Sequence, residues 1–210
     1  GLTKYDGFVF ETEDSAVNGM VADAGYTAVT LKDGSKVKKI VLESPAAISG
    51  EGAGNIILRG SGLASETTEI LASADSVSVY SDAVIKAGSI NTLKVNDSAS
   101  IILQSGNVKN MEVGSKAAGS VVTLSEGVTV ENLTVSGAIT PEGEGKTVGG
   151  IVGENSGTIE NSAFLGSLIG SSDVGGIAGR NTLSGSIIGC ICGGEIIGDG
   201  VVGGIAGSKS

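Results

Sequence analysis

Apolar residues along this chain fall into short, evenly punctuated runs. Among them are Val37-Lys-Lys-Ile40-Val41-Leu42, Val77-Ser-Val79-Tyr80, Ile101-Ile102-Leu103 and Val121-Val122-Thr-Leu124. Each is bounded by Gly, Ser, Asn or Asp, the residues that build turns, so the pattern predicts short β-strands joined by tight corners. A tripartite phrase stands out: Ile90-Asn-Thr-Leu93-Lys-Val95, Val108-Lys-Asn-Met111-Glu-Val113 and Val130-Glu-Asn-Leu133-Thr-Val135, spaced by 18 and 22 residues. The run at Val37 reads as an earlier, degenerate member, and the remaining runs lie between members. Apolar residues at i, i+3, i+4, i+7 are not sustained over a helical length, so helix should be scarce, with one exception expected within residues 11–24.

A stronger repeat occupies the last third. Val148-Gly-Gly-Ile151-Val-Gly153 returns as Val174-Gly-Gly-Ile177-Ala-Gly179 and Val202-Gly-Gly-Ile205-Ala-Gly207, at spacings of 26 and 28 residues. A near-constant period of this size marks a solenoid, in which each repeat is one turn of a winding chain. The expected fold is all-β: a parallel β-helix or β-solenoid with coils of about 18–28 residues. Roughly eight to ten coils at about 4.8 Å each would make a rod on the order of 40–50 Å long. Like residues should then stack: Ile151, Ile177 and Ile205 as one buried set, Leu93, Met111 and Leu133 as another, and Thr92, Asn110 and Asn132 as a polar corner ladder. Residues 1–36, with Tyr5, Phe8, Phe10 and Tyr26, read as an N-terminal capping segment. Residues 37–140 read as solenoid repeats, and 141–210 as longer repeats continuing the same stack across a joint at 141–147.

Composition narrows the class. The 210 residues include 36 glycines, no Trp and no His, with 40% hydrophobic and 3% aromatic content. That much Val, Ile, Leu and Ala can form a core, which argues against disorder, and small β-branched side chains suit layered sheets. The net charge of −10 argues against nucleic acid and anionic lipid as partners, since both select basic patches. No apolar run is long enough to span a bilayer. Cys190 and Cys192, one residue apart, would lie too far apart on an extended strand for a disulfide, and they read as small reduced core residues.

The segment Val148-Gly-Gly-Ile-Val-Gly-Glu-Asn-Ser-Gly-Thr-Ile-Glu-Asn-Ser162 closely resembles the GLUG motif. The second copy keeps the frame after a two-residue insertion, with Gly185-Ser-Ile187-Ile-Gly-Cys190 aligning on Gly157-Thr-Ile159-Glu-Asn-Ser162. The resemblance spans residues 148–210. It implies a large secreted or surface-attached bacterial protein, either adhesin-like or a non-catalytic part of an immunoglobulin-A-cleaving metallopeptidase, with a core cysteine at Cys190. The upstream half is similar to generic β-helix of such proteins. The zinc chemistry of the peptidases does not transfer, because it needs a His-Glu-x-x-His pair and this chain has no His.

Other motifs fail on context. Gly198-Asp-Gly200-Val-Val-Gly203 spells a dinucleotide fingerprint but lacks the helix and distal acid that the site needs. Gly145-Lys146-Thr147 resembles the tail of a P-loop, yet Thr140 stands where its first glycine belongs. The acids at Glu11-Thr-Glu13-Asp14 and Glu142-Gly-Glu144 have no calcium-loop spacing. Without His no Ser-His-acid triad can form, and arginine occurs only at Arg59 and Arg180. The N-glycosylation sequons at Asn96 and Asn132 read as coincidental. Accordingly, no catalytic, cofactor-binding or metal-ligating residue is expected. The expected function is a non-catalytic extracellular scaffold or adhesin-like stalk at the bacterial cell surface. Its partners would be a host or bacterial surface ligand, protein or glycan, and further repeats or domains of the same polypeptide. The alternatives are a carbohydrate- or calcium-binding module and a carbohydrate-active β-helix enzyme. Ser210 falls just after the third hexapeptide, so the sequence reads as an uncapped piece of a longer repeat array.

Overall fold

The structure, a computed structural model, describes residues 8–210 apart from residues 24, 26, 65, 114, 118, 119, 136 and 141–144. The chain is nearly all β, and every pairing among the described strands is parallel. One ladder joins Phe8–Thr12, Thr27–Leu31, Ala46–Gly50, Thr67–Ile70, the first parts of Ala83–Val95 and Ser100–Val113, then Val121–Leu124, Val152–Asn155, Ala178–Asn181 and Ala206–Lys209. A second ladder starts with Ala16–Val17 and Met20–Ala22 on Lys36–Leu42. It continues through Ala53–Leu58, Ala74–Val79, the later parts of the two long strands, Thr129–Glu131, Thr158–Glu160 and Ser186–Ile188. Three shorter ladders belong to the C-terminal half: Thr134–Val135, Ala163–Phe164 and Ile191–Cys192; Ala138–Ile139, Ser167–Gly170 and Glu195–Gly198; and Val148–Gly149, Val174–Gly175 and Val202–Gly203.

Alternation sets which side chains point inward. In Ala83–Val95 the buried residues include Ala83, Ile85, Ala87, Ile90, Leu93 and Val95, and register stacks all but Ala87 on apolar residues of the next strand. One inward column runs Val17, Val37, Ala53, Ala74, Ile90, Val108, Val130, Ile159, Ile187, apolar at every step. The tripartite phrases at 90, 108 and 130 are therefore equivalent, as their spacing indicated. Two members escaped notice because they begin on alanine, Ala53 and Ala74. Val77, read from sequence as lying between members, pairs with Leu93 and belongs to the phrase itself.

Several expectations need correction. Residues 11–24 contain no helix in their described part. Ala16–Val17 and Met20–Ala22 are strands instead, held on Lys36–Leu42, because tertiary pairing of a short apolar alternation overrides weak helical propensity. From the proposed cap, Phe10 pairs with Val29 and packs against the core, while Tyr5 and Tyr26 lie outside the described residues, as does the side chain of Phe8. Residues 141–144 of the expected joint also lie outside them. Parallel pairing nevertheless crosses that region, from Thr123 and Leu124 to Glu154 and Asn155. Leu93, Met111 and Leu133 are all buried, as are Ile151 and Ile177, but Ile205 is 40% exposed. Ile205 sits on the last member of its ladder, where nothing stacks above it among the described residues.

The polar corner also differs. Thr92 pairs with Asn110, but both lie inside long strands. The left-handed corner begins only at Asn132 (φ 53°) and continues at Asn161 (φ 49°) and Gly189 (φ 63°). Asn and Gly are the residues that tolerate this conformation. Backbone bonds from Asn132 to the Glu160 carbonyl and from Asn161 to the Ile188 carbonyl stack these corners.

Candidate functional site

The outward columns carry the charged residues, and they meet one ladder step apart. Lys32 lies 3.0 Å from Glu11, Arg59 lies 2.8 Å from Glu43, and Lys94 lies 2.9 Å from Glu112. Lys86 faces Glu69 at 3.7 Å, and Arg180 binds Glu154. In the last three pairs the partners are direct register neighbours: Glu69 with Lys86, Lys94 with Glu112, Glu154 with Arg180. Opposite charges at paired positions stabilise a sheet modestly. The hydrogen bond to Glu154, and then its charge, raises the Arg180 guanidinium further above its already high pKa. Both arginines of the chain are thus held by carboxylates, and these five acids face cations instead of one another.

The remaining candidates fall into structural places. Glu11 is tied to Lys32, Asp14 occupies a left-handed corner (φ 44°) whose N–H donates to the Asp33 carbonyl, and the Glu13 carbonyl accepts the Ser15 hydroxyl. Among the described residues no group of three or more His, Cys, Asp or Glu is placed to hold a metal ion. Glu142 and Glu144 lie outside the described residues. Gly198 ends one strand and Gly203 ends another, with no helix between or after them. Strand Val148–Gly149, not a helix, follows Lys146-Thr147. Among the described residues no helix is long and apolar enough to cross a membrane.

Both cysteines are free and partly buried against the core. Cys190 stands where Ser162 stands one repeat earlier, as the aligned phrases indicated. The Ser162 hydroxyl donates to the Glu160 carbonyl at 2.7 Å and accepts the Leu133 N–H, and the Cys190 thiol reaches the equivalent Ile188 carbonyl at 3.4 Å. Its role is therefore a corner hydrogen bond as much as core packing. Cys192 pairs with Phe164, which pairs with Val135 in the same inward column.

Two features were not read from the sequence. The first is a buried amide pair: Asn155 and Asn181 are register neighbours, and Asn155 Nδ2 donates to Asn181 Oδ1 at 2.7 Å. Asn155 also donates to the Ser186 carbonyl and accepts the Gly157 N–H, while Asn181 donates to the Gly185 carbonyl. The phrase Glu154-Asn155-Ser-Gly157 carried the signal, because an Asn two residues before a Gly can hold its own turn. The second is a set of outward apolar side chains, Leu165, Ile169, Ile188, Ile191 and Ile197, all exposed, with Ile169 paired with Ile197. The doublets Leu168-Ile169, Ile187-Ile188 and Ile196-Ile197 hid it, since alternation sends one of each pair outward.

Compared with known proteins, the chain matches no family model, no curated protein and no solved structure.

Proposed function

We propose that this chain winds as a parallel β-solenoid and serves as a non-catalytic extracellular scaffold, an adhesin-like stalk of a bacterial surface protein of the GLUG-motif kind. The observation that carries the reading is the apolar column from Val17 to Ile187, which keeps parallel register through nine members. A chain that returns every 16 to 29 residues to stack on itself in this way extends along one axis, and its stiffness comes from ladder hydrogen bonds and a continuous core. The five outward ion pairs support the same role, because each ties two successive turns of the chain together. The resemblance to the GLUG motif supports the surface location.

Small-angle scattering of the purified chain tests the shape. A rod of about 40–50 Å, set by about 4.8 Å per coil, is expected, and a compact globular profile would overturn the solenoid. Protease shaving of intact producing cells tests location, with loss of the chain's signal expected. Turnover of a polysaccharide or peptide, abolished by one substitution, would replace the scaffold with an enzyme. A calcium-dependent rise in melting temperature would replace it with a calcium-binding module.

A further inference from the structure

We infer that Asn18-Gly19 is a self-modification site, where the Asn18 amide cyclises onto the Gly19 nitrogen and the chain acquires aspartate or isoaspartate. It is the only Asn-Gly dipeptide in the sequence. Asparagine is a thermolabile side chain, and glycine has no Cβ to shield its nitrogen from the side chain before it. Both residues are exposed, at the bend between Ala16–Val17 and Met20–Ala22. A Cβ built on Gly19 would meet nothing closer than the Lys39 carbonyl at 3.6 Å.

The ladder leaves both reacting groups free. Val17 pairs with Val37 and Met20 with Ile40, while neither residue between them pairs with the facing strand Lys36–Leu42. Later positions of the same column stay in register: Lys39 with Asn55, Asn55 with Ser76, Ser76 with Thr92, and Thr92 with Asn110. The break is therefore particular to this one step. Among the described residues the Gly19 N–H donates to no backbone carbonyl, and the Asn18 amide has no hydrogen-bond partner. Other amides are held: Asn155 donates to Asn181 and to the Ser186 carbonyl, Asn181 to the Gly185 carbonyl, and Asn110 to the Asn91 carbonyl. The outward direction belongs to the whole column. Lys38, Asp75, Asn91 and Lys109, each following an inward residue as Asn18 follows Val17, are exposed too.

The chemistry needs only the chain and water. The Gly19 nitrogen gives up its proton and attacks Cγ of Asn18. A new N–C bond closes a cyclic imide, and the Cγ–Nδ2 bond breaks as Nδ2 takes the proton and leaves as ammonia. Water then adds to either imide carbonyl. Cleavage of the new bond to Cγ restores the main chain and gives aspartate. Cleavage of the original peptide bond gives isoaspartate, whose main chain runs through Cβ and Cγ. Either product places a carboxylate beside the exposed Lys38 and Lys39 where a neutral amide stood. Isoaspartate also lengthens the backbone between two residues that are both in register, Val17 and Met20. The change is covalent and one-way, so it marks the age of each molecule.

Peptide mapping by mass spectrometry, on the folded chain incubated at neutral to mildly alkaline pH, tests the proposal. The peptide carrying residue 18 should convert from amide to acid and separate into aspartyl and isoaspartyl forms, faster as pH rises. Asn18 should convert at least about tenfold faster than Asn155 or Asn181, and within about tenfold of its own rate in the urea-unfolded chain. Gly19→Ala, which has room for its methyl group, should slow conversion at least about tenfold with little change in melting. Missing any one of these three margins overturns the proposal, as does conversion at residue 18 without isoaspartate. The first two comparisons use the wild-type chain alone, so they decide the matter even if the variant fails to fold.

Discussion

Leu124 and Asn155 occupy neighbouring positions in one inward column, yet one is a hydrocarbon and the other an amide. The column runs Thr68, Ile85, Leu103, Leu124, Asn155, Asn181, and all six are buried. The change of chemistry comes one member after a change of path, since Leu124 already ends a four-residue strand. Upstream, Ala83–Val95 and Ser100–Val113 pass through two ladders as single long strands, with a register irregularity near Lys86. Downstream, the same span is cut into strands of two to four residues with sharp corners between them. A long strand satisfies its own backbone through the ladder, so its inward side chain can be leucine. A corner leaves N–H and C=O groups to be met by something else, and Asn155 meets those of Gly157 and Ser186. The buried amides here belong to corners, whereas Thr68 is buried within the strand Thr67–Ile70.

The largest effects should come from placing charge in the core common to both regions. Ile56→Asp upstream and Ile177→Asp downstream are each expected to cost about 3–5 kcal/mol, the range for an uncompensated buried charge. Their reach should differ. Contacts in stacked repeats are mostly between neighbours, and the two regions are bridged by the short strands Val121–Leu124, Thr129–Glu131 and Thr134–Val135. Hydrogen exchange on Ile177→Asp should therefore show lost protection across 148–209 with 36–95 still protected. Uniform loss along the chain would mean that the regions are one cooperative unit.

Swapping the column's chemistry comes next. Asn155→Leu strands the Gly157 N–H, the Ser186 carbonyl and the Asn181 amide, and Leu103→Asn buries an amide where no corner waits for it. Each is expected to cost about 2–4 kcal/mol by denaturant titration, since unsatisfied buried groups cost about 1–3 kcal/mol apiece. If Leu103→Asn were tolerated as well as an ordinary surface change, the link between amides and corners would be broken.

Glycine substitutions sharpen the contrast further. Gly150→Ala drives a methyl group into the Phe164 ring and the Gly176 carbonyl, and should cost about 1–3 kcal/mol, as overpacking does. Gly19→Ala, where the nearest atom is the Lys39 carbonyl at 3.6 Å, should change stability by no more than about 0.5–1 kcal/mol, in the stabilising direction if the chain there already has a φ that alanine accepts. Thermal melts of the two variants side by side provide the check.

The two regions were unequally legible in the sequence. The tripartite phrases and the hexapeptide gave away parallel, like-on-like stacking, because stacked equivalents select the same side chains and repetition survives as text. Ala53 and Ala74 hid two members, since alanine fills an inward position without announcing itself as apolar. The strands at Ala16–Val17 and Met20–Ala22 hid too, being set by Lys36–Leu42 and not by their own pattern. Of the candidate site residues, the pairing of Ser162 with Cys190 was readable from aligned phrases. The ion pairs were not, because Glu154 and Arg180 lie 26 residues apart and meet only when the register is known. Thr68 shows the limit most plainly: its sequence context is an ordinary Thr-Thr, yet its hydroxyl is buried without a partner. Thr68→Val should stabilise the fold by about 1 kcal/mol, because it removes a desolvated hydroxyl at nearly constant shape. A fall in melting temperature would show that the hydroxyl is satisfied.

The smallest effects should be those of the outward ion pairs. Lys94 and Glu112 are 40% and 62% exposed, and Arg180 and Glu154 are 43% and 35% exposed. Exposed pairs of this kind contribute about 0–1 kcal/mol and are screened by salt, so Lys94→Met should barely move the melt. The downstream pair should be the stronger of the two. Its arginine can hold a carboxylate with fixed geometry, and Arg180 Nε is shielded and has no partner of its own, so losing Glu154 leaves more of the guanidinium unsatisfied. A double-mutant cycle on Glu154→Gln and Arg180→Met should therefore give a larger coupling than one on Lys94→Met and Glu112→Gln. Both couplings should shrink as salt is added. Equal couplings would mean that the corners downstream, which bring Arg180 beneath Ser208 and beside Glu154, confer no more order on the surface than the long strands do upstream.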